Sequence, residues 1–328
     1  MNTTLASTGP KPVLVTGGAG FIGSHLVQRL LADGDSVVVI DDLSTGSLEN
    51  LRDFSASPRL RVIQSKVSAC PGLAEIVAGS KAIYHLAAAV GVDLVVKRPL
   101  HTLQTNLHET EIILELAAQH GVPCLLTSSS EVYGKSEKPE FTETDDLLIG
   151  PPGQSRWGYA CSKLVDEFLA LAYGRERGLP VVVVRLFNTV GPRQTGRYGM
   201  VLPRFITAAR KNEPIRVFGD GRQSRCFCLV TDVVESLIRL LNCPAARGEV
   251  FNIGGAEEVT ILQLAERVIA TLGSQSKISL VPYAEAYAPG FDDMRRRKPN
   301  VEKLAKTTGF RPQTALRDII LKTAESVR

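Results

Sequence analysis

At 328 residues, with 44% hydrophobic and 22% charged side chains, the chain has the size and balance of about two globular domains or one large α/β unit. A net charge of +4 spread along its length gives no basic footprint for nucleic acid, and no apolar run approaches the about 18 residues of a membrane span. Six cysteines, at 70, 124, 161, 226, 228 and 243, offer no metal-ligand spacing and read as reduced thiols of a cytoplasmic protein.

Residues 1–11 lack a basic stretch followed by an apolar core and read as a disordered tail rather than a targeting signal. The apolar strand Val13–Thr16 runs into Gly17-Gly-Ala-Gly20-Phe-Ile-Gly23. A helix follows with Phe21, Ile22, Leu26, Val27, Leu30 and Leu31 on its apolar positions, and Gly34 stops it. A second strand, 36–40, ends in Asp41-Asp42. Strand, glycine turn, helix, strand and an acid about 20 residues on is the arrangement that binds a dinucleotide. The glycines let backbone approach a pyrophosphate that rests on the helix N-terminus, so Gly17, Gly20, Phe21, Ile22 and Gly23 are expected cofactor contacts. Asp41 would accept from a ribose hydroxyl. Leu43, Ser44 and Thr45 supply no cation for a 2′-phosphate, which favours NAD over NADP.

The alternation continues with a strand at 61–64, a weak helix at 73–78, a strand at 82–85, a helix at about 100–119 and a strand at 123–128. Strands separated by helices predict an α/β fold, a Rossmann-type doubly wound parallel sheet. Leu86, Ala87 and Ala88 leave the fourth strand as a small-residue turn suited to close passage of a flat ligand; His85 reads as structural. Ser128-Ser129-Ser130-Glu131-Val132-Tyr133-Gly134 displays polar side chains at the end of the next apolar strand. After a polar loop at 135–157, a helix starting near Gly158 puts Tyr159 and Lys163 on one face.

Beyond the strand at 181–187, Asn188-Thr-Val-Gly191-Pro192-Arg193 breaks the pattern. A smaller, interleaved α/β substrate-binding lobe is placed from here. The expected division is a NAD-binding domain of 12–187 plus about 229–248, and a substrate-binding lobe of 188–228 plus about 249–328. The helix at 233–241 goes with the larger unit and the strand at 250–253 with the smaller; Thr260 caps the next helix, and the last helix starts near Ala315. Cys226 and Cys228 are read as packing.

These residues together resemble the extended short-chain dehydrogenase/reductases of the sugar-nucleotide epimerase, dehydratase and decarboxylase type. The motifs are 16–23, His85-Leu-Ala-Ala88, 128–134, Tyr159 to Lys163, Arg185-Leu-Phe-Asn188, Gly191-Pro-Arg193 and 219–225, and the match spans nearly everything from Val13 onward. The resemblance implies transient oxidation at carbon 4 of a nucleotide-linked sugar. Tyr159 is then the base, its proton loss favoured by Lys163 and by the positive nicotinamide ring, and Ser129 fixes the hydroxyl. Asn106 joins the expected cofactor contacts on this ground, and a homodimer through the helices near 100–119 and 158–177 is implied.

The choice of reaction depends on Ser130-Glu131. Family 4,6-dehydratases carry Asp-Glu there, and the Asp is the acid for the departing hydroxyl. UDP-glucuronate decarboxylases (UDP-xylose synthases) show Ser-Glu, together with a late Arg-Lys-Pro matched by Arg297-Lys298-Pro299. Glu131 near the carboxylated carbon and Arg297 as charge stabiliser or proton donor fit that task, with Arg295 and Arg296 as a solvated basic face. The turn Ala88-Ala89-Val90-Gly91-Val92 looks more like the epimerase or dehydratase form. The leading expectation is a UDP-glucuronate decarboxylase; the alternative is a UDP-sugar (UDP-glucose or UDP-glucuronate) 4-epimerase, followed by a 4,6-dehydratase or a silent NAD-binding protein. Asn188, Arg197 and Arg225 are the expected diphosphate donors, with Val201 and Phe218 lining the nucleotide site and Arg193 bracing its turn.

Overall fold

The computed structural model describes residues 9–91, 95, 97–195, 200–282, 285 and 294–326; residues 1–8 of the expected tail lie outside it. The first half contains β1 (Val13–Thr16), α1 (Phe21–Ala32), β2 (Val37–Asp41), β3 (Leu60–Gln64), α2 (Leu73–Ala78), β4 (Ala82–His85), α3 (Pro99–His120), β5 (Cys124–Ser129) and α4 (Ser155–Arg177). Then come β6 (Val181–Leu186), β7 (Thr189–Val190), α5 (Val201–Arg210), β8 (Ile215–Phe218), β9 (Ser224–Cys226), β10 (Cys228–Leu229), α6 (Val230–Leu241) and β11 (Glu249–Ile253). The chain closes with β12 (Glu258–Thr260), α7 (Ile261–Leu272), β13 (Ile278–Val281), β14 (Arg296–Arg297), α8 (Glu302–Thr308) and α9 (Leu316–Ser326).

Seven strands form one parallel sheet in the order β11-β6-β5-β4-β1-β2-β3. Its central strands are runs of Val, Ile and Leu because helices bury both faces. One face is covered by a core that includes Leu26 and Leu30 of α1, Val233 and Leu237 of α6, and Leu304 of α8. The other is covered through Leu73 of α2, Ile113 and Leu114 of α3, and Ala170 of α4. Strand order reverses between β1 and β4, and a doubly wound sheet opens its ligand crevice at that switch point, beyond the carboxyl ends of the strands.

The expected position of the strand at 250–253 is corrected. β11 pairs parallel with β6, Val250 beside Val183 and Ile253 beside Leu186, at the edge of the main sheet. Helix α6 is the crossover that leads into it, and Phe251, Asn252 and Ile253 are buried there. Outside the main sheet, β8 pairs with β13, and β9 lies between β12 and β14. Helices α5, α7 and α9 enclose a separate core around Phe205, Leu264 and Ile320. Thr260 caps α7 as expected, in a capping box with Gln263.

Candidate active site

A single cavity of about 760 Å³ runs from the glycine turn, past Tyr159, to Phe218. At its first end the turn is built by close backbone contact. Gly17 sits at φ +71, and a Cβ there would lie 2.8 Å from Ala87 N; a Cβ on Gly23 would run into the Gly17 carbonyl oxygen. At Gly20 an added Cβ would meet only Gly17 O, at 3.1 Å, so the chain presents open space beside the α1 N-terminus. Asp41 lines the same end. Its carboxylate accepts from Ala19 N and Leu43 N, both at 2.9 Å, which ties the β2 end to the turn. Burial holds that carboxyl above the usual carboxylate range. Phe21, Ile22, Leu86, Ala87 and Ala88 also line the cavity. Open backbone at a helix N-terminus, a carboxylate beyond β2 and a small-residue wall fit a dinucleotide.

Asn106 does not reach the cavity. It is buried in α3, accepts from Ala89 N at 2.7 Å and donates to Ser162 Oγ at 3.1 Å. It therefore fixes the turn after β4 from behind. Glu109, one turn on, accepts from Ser68 N and Oγ at 2.8 and 2.6 Å. His85 is structural, as expected, lodged between Thr16 Oγ1 at 2.8 Å and Thr110 Oγ1 at 3.2 Å.

In the middle of the cavity, β5 ends in Ser129 and α4 delivers Tyr159 and Lys163 from the facing wall. Ser129 hydrogen-bonds the Tyr159 phenol. Burial raises that phenol above its ordinary value and the neighbouring Glu131 charge adds to the rise, while Ser129 and Arg297 oppose it. Lys163 Nζ, buried on the same helix face as Tyr159, donates to Asp166 Oδ2 at 3.2 Å, so its charge is shared with a carboxylate. Asp166 was not foreseen, although a carboxylate three residues after the lysine lies on the same helix face.

Glu131 and Arg297, 166 residues apart, meet here: Arg297 Nη2 donates to Glu131 Oε1 at 2.8 Å. Ser130 is buried beside them and also lines the cavity. Arg296, on the opposite side of β14, points outward to Glu258, so only Arg297 of the pair faces the site. Behind β5, Ser128 Oγ donates to Glu167 Oε1 at 2.5 Å, and Arg185 Nη2 donates to Glu167 Oε2 at 2.7 Å. Arg185 also lies over the Tyr133 ring, 4.9 Å from its centroid. An arginine inside the run Val181–Leu186 was the sequence signal for this buried pair.

At the far end, Asn188, Val201, Phe218 and Arg225 line the cavity, and Arg197 lies outside the described residues. Asn188 donates one N–H to Cys226 O at 3.0 Å, and Arg225 Nη1 donates to Ser224 O at 2.8 Å, so part of each side chain holds the wall itself. Phe218 carries the Arg204 guanidinium 4.4 Å from its ring centroid, so one face of the ring is already covered. Arg193, at φ +65, braces its turn as expected by donating to Gln28 Oε1 at 2.6 Å and Ser24 Oγ at 3.4 Å. Cys226 and Cys228 are buried packing residues, and no group of metal-ligating side chains occurs among the described residues.

The likenesses of this chain to known proteins are specific. The family described as NAD dependent epimerase/dehydratase matches residues 13–254. A UDP-N-acetyl-alpha-D-glucosaminuronate decarboxylase of Bacillus cytotoxicus is 36% identical over 97% of this chain and 98% of its own length. UDP-glucuronic acid decarboxylase 4 of Arabidopsis thaliana is 39% identical over 93% of this chain and 66% of its own. Among solved structures, UDP-glucuronic acid 4-epimerase of Bacillus cereus, in complex with UDP-glucuronic acid and NAD, superposes with a TM-score of 0.85 at 27% identity, covering 96% of this chain and 98% of that one. NAD is the cofactor of this fold, and the open glycine turn and Asp41 are the parts of the chain that would hold it. By motif, fold and full-length similarity, the chain belongs to the NAD dependent epimerase/dehydratase family, the extended short-chain dehydrogenase/reductases.

Proposed function

We propose that the chain decarboxylates a UDP-linked uronic acid, with UDP-glucuronate as the expected substrate and UDP-4-keto-pentose or, after re-reduction, UDP-xylose as product. The observation that carries this reading is the Glu131–Arg297 pair, joined at 2.8 Å at the wall of the cavity that holds Tyr159. NAD, when bound, supplies the hydride acceptor for carbon 4 and the donor for any later reduction. Tyr159 takes the proton of the 4-hydroxyl, and Ser129 fixes that hydroxyl's direction. The resulting β-keto acid releases carbon dioxide and leaves its electron pair in an enolate. Arg297 balances that charge, and a proton returns to carbon 5 from the Glu131–Arg297 pair. Ser130 stands where a dehydratase would need an acid. Relatives named as decarboxylases of UDP-glucuronate and of UDP-N-acetylglucosaminuronate support the reading.

The roles of Asn188, Val201, Phe218 and Arg225 in holding the nucleotide belong to this proposal. So does a division of labour in which the small sheets and α5, α7 and α9 bind the sugar nucleotide while the seven-stranded unit binds NAD. A homodimer through α3 and α4 is supported by Leu100, Val165 and Phe168, which stand 67%, 39% and 64% exposed on those helices. Light scattering on Phe168→Asp should give a monomer; a wild-type monomer would remove the dimer. Unbridged cysteines support a reducing, cytoplasmic setting.

The test is incubation of the purified protein with NAD and, separately, UDP-glucuronate and UDP-N-acetylglucosaminuronate, followed by mass spectrometry. Loss of carbon dioxide from either is the expected result. An isomer of unchanged mass would replace this reading with a UDP-sugar 4-epimerase.

A further inference from the structure

Glu131 and Arg297 arrive from segments that share no strand pairing with each other, yet they meet in a bond of ordinary length. Their segments converge behind the site on one side chain. Asn252 is fully buried at the end of β11. Its Oδ1 accepts from Tyr133 Oη at 2.8 Å, and Tyr133 closes the turn that begins at Ser130 and carries Glu131. Its Nδ2 donates to Phe141 O at 3.0 Å and to Asn300 O at 3.3 Å. Asn300 N donates in turn to Phe141 O, and Phe141 N donates to Lys298 O, both at 2.8 Å. Lys298 is the residue after Arg297. The Asn252 backbone N–H donates to Glu143 Oε1 at 2.8 Å, which ties the same loop again. The amide thus uses its acceptor on the Glu131 side and both donors on the Arg297 side.

Resting on the decarboxylase reading, we infer that Asn252 is a positioning residue that sets the Glu131–Arg297 geometry without touching substrate or cofactor. A carboxylate at this place keeps the acceptor but loses both donors and faces two carbonyl oxygens. A phenylalanine at 133 removes the acceptor's partner and leaves the ring in its aromatic cluster with Phe141 and Phe187. Either change should disturb the steps after oxidation more than oxidation itself, because Ser129, Tyr159 and Lys163 are carried by β5 and α4 and only the Glu131 N to Ser129 Oγ bond, at 3.2 Å, links them to the moved turn.

The experiment monitors one turnover of UDP-glucuronate, reading NADH absorbance for oxidation and released carbon dioxide for decarboxylation, in Asn252→Asp and Tyr133→Phe. NAD and UDP affinities are measured alongside. The expected result is a fall of about 10-fold in carbon dioxide release for Asn252→Asp and a smaller fall for Tyr133→Phe. NADH should form at a rate within about twofold of wild type and accumulate, with both affinities within about twofold. Oxidation and decarboxylation slowing together, or neither changing, would overturn the inference. If Asn252→Asp does not fold, Tyr133→Phe decides by the same criteria. A wild-type enzyme that releases no carbon dioxide would instead sink the decarboxylase reading, and the two failures are distinct.

Discussion

The two ends of the cavity are built on different principles. The cofactor end is made of backbone drawn from short stretches: the turn at 17–23, Asp41 at the end of β2, and the small-residue turn after β4. Several of its polar contacts use main-chain groups, as in the Asp41 carboxylate accepting from Ala19 N and Leu43 N. The end proposed for the sugar is made of side chains brought from afar, with Glu131 and Arg297 joined across 166 residues and Asn252 anchoring both of their segments. Backbone recognition needs small residues at fixed spacing and tolerates little added volume. Side-chain recognition needs charges whose partners are supplied by the fold, and it can be retuned by changing one of them. A family that keeps one oxidation and varies the subsequent chemistry is well served by this division.

Tyr159 belongs to neither end, and its loss should have the largest effect. Tyr159→Phe removes the proton acceptor, and turnover should fall by about 10²- to 10⁴-fold while NAD affinity holds. Retained turnover would remove Tyr159 as the base. The comparison itself is sharpened by two changes, one at each end. Gly23→Ala forces a Cβ against the Gly17 carbonyl oxygen, and the overpacking should weaken NAD binding by about 10- to 100-fold without altering UDP affinity. Calorimetric titration with each ligand would read this, and equal weakening of both would break the distinction between the ends. Glu131→Gln should lower carbon dioxide release by about 10-fold with NAD affinity intact, because the amide leaves Arg297 without its charge partner. Unchanged release would argue against a role for the pair.

The smallest expected effect concerns pH and falls on the cofactor end. Burial lowers His85 from 6.5 to about 3 and His25, which donates to Pro192 O, from 6.5 to about 4. Both are neutral in the folded protein while the unfolded chain takes up protons below pH 6.5. The unfolded state then binds more protons, so stability is full above that pH and falls as pH drops toward 4 and below. Urea midpoints measured across this range should decline with acid, and His25→Gln should decline less steeply. A flat midpoint would show that neither ring is held neutral.

The motif residues that were readable from the chain are those whose neighbours are near in sequence. Gly17 to Gly23 and Asp41 lie within one βαβ unit, and Tyr159 and Lys163 lie within one helical turn or so. The bracing role of Asn106 is not legible in the chain, because a polar residue on a helix facing the cofactor wall can either touch a ligand or brace the wall, and spacing does not separate the two. Phe218 was half right: its place was legible, and the Arg204 guanidinium stacked on it was not.

Sequence alone determined the parallel sheet, the NAD-binding turn, and the pairing of a phenol with a lysine on one helix face, because these arise from local periodicity and short-range backbone geometry. Tertiary structure decided that β11 completes the main sheet, that Asp166 balances Lys163, and that Glu131 meets Arg297. Of these, Asp166 was within reach of helix spacing. The others depend on which distant segments are buried against each other, and that is settled by packing of the whole chain rather than by any stretch of it.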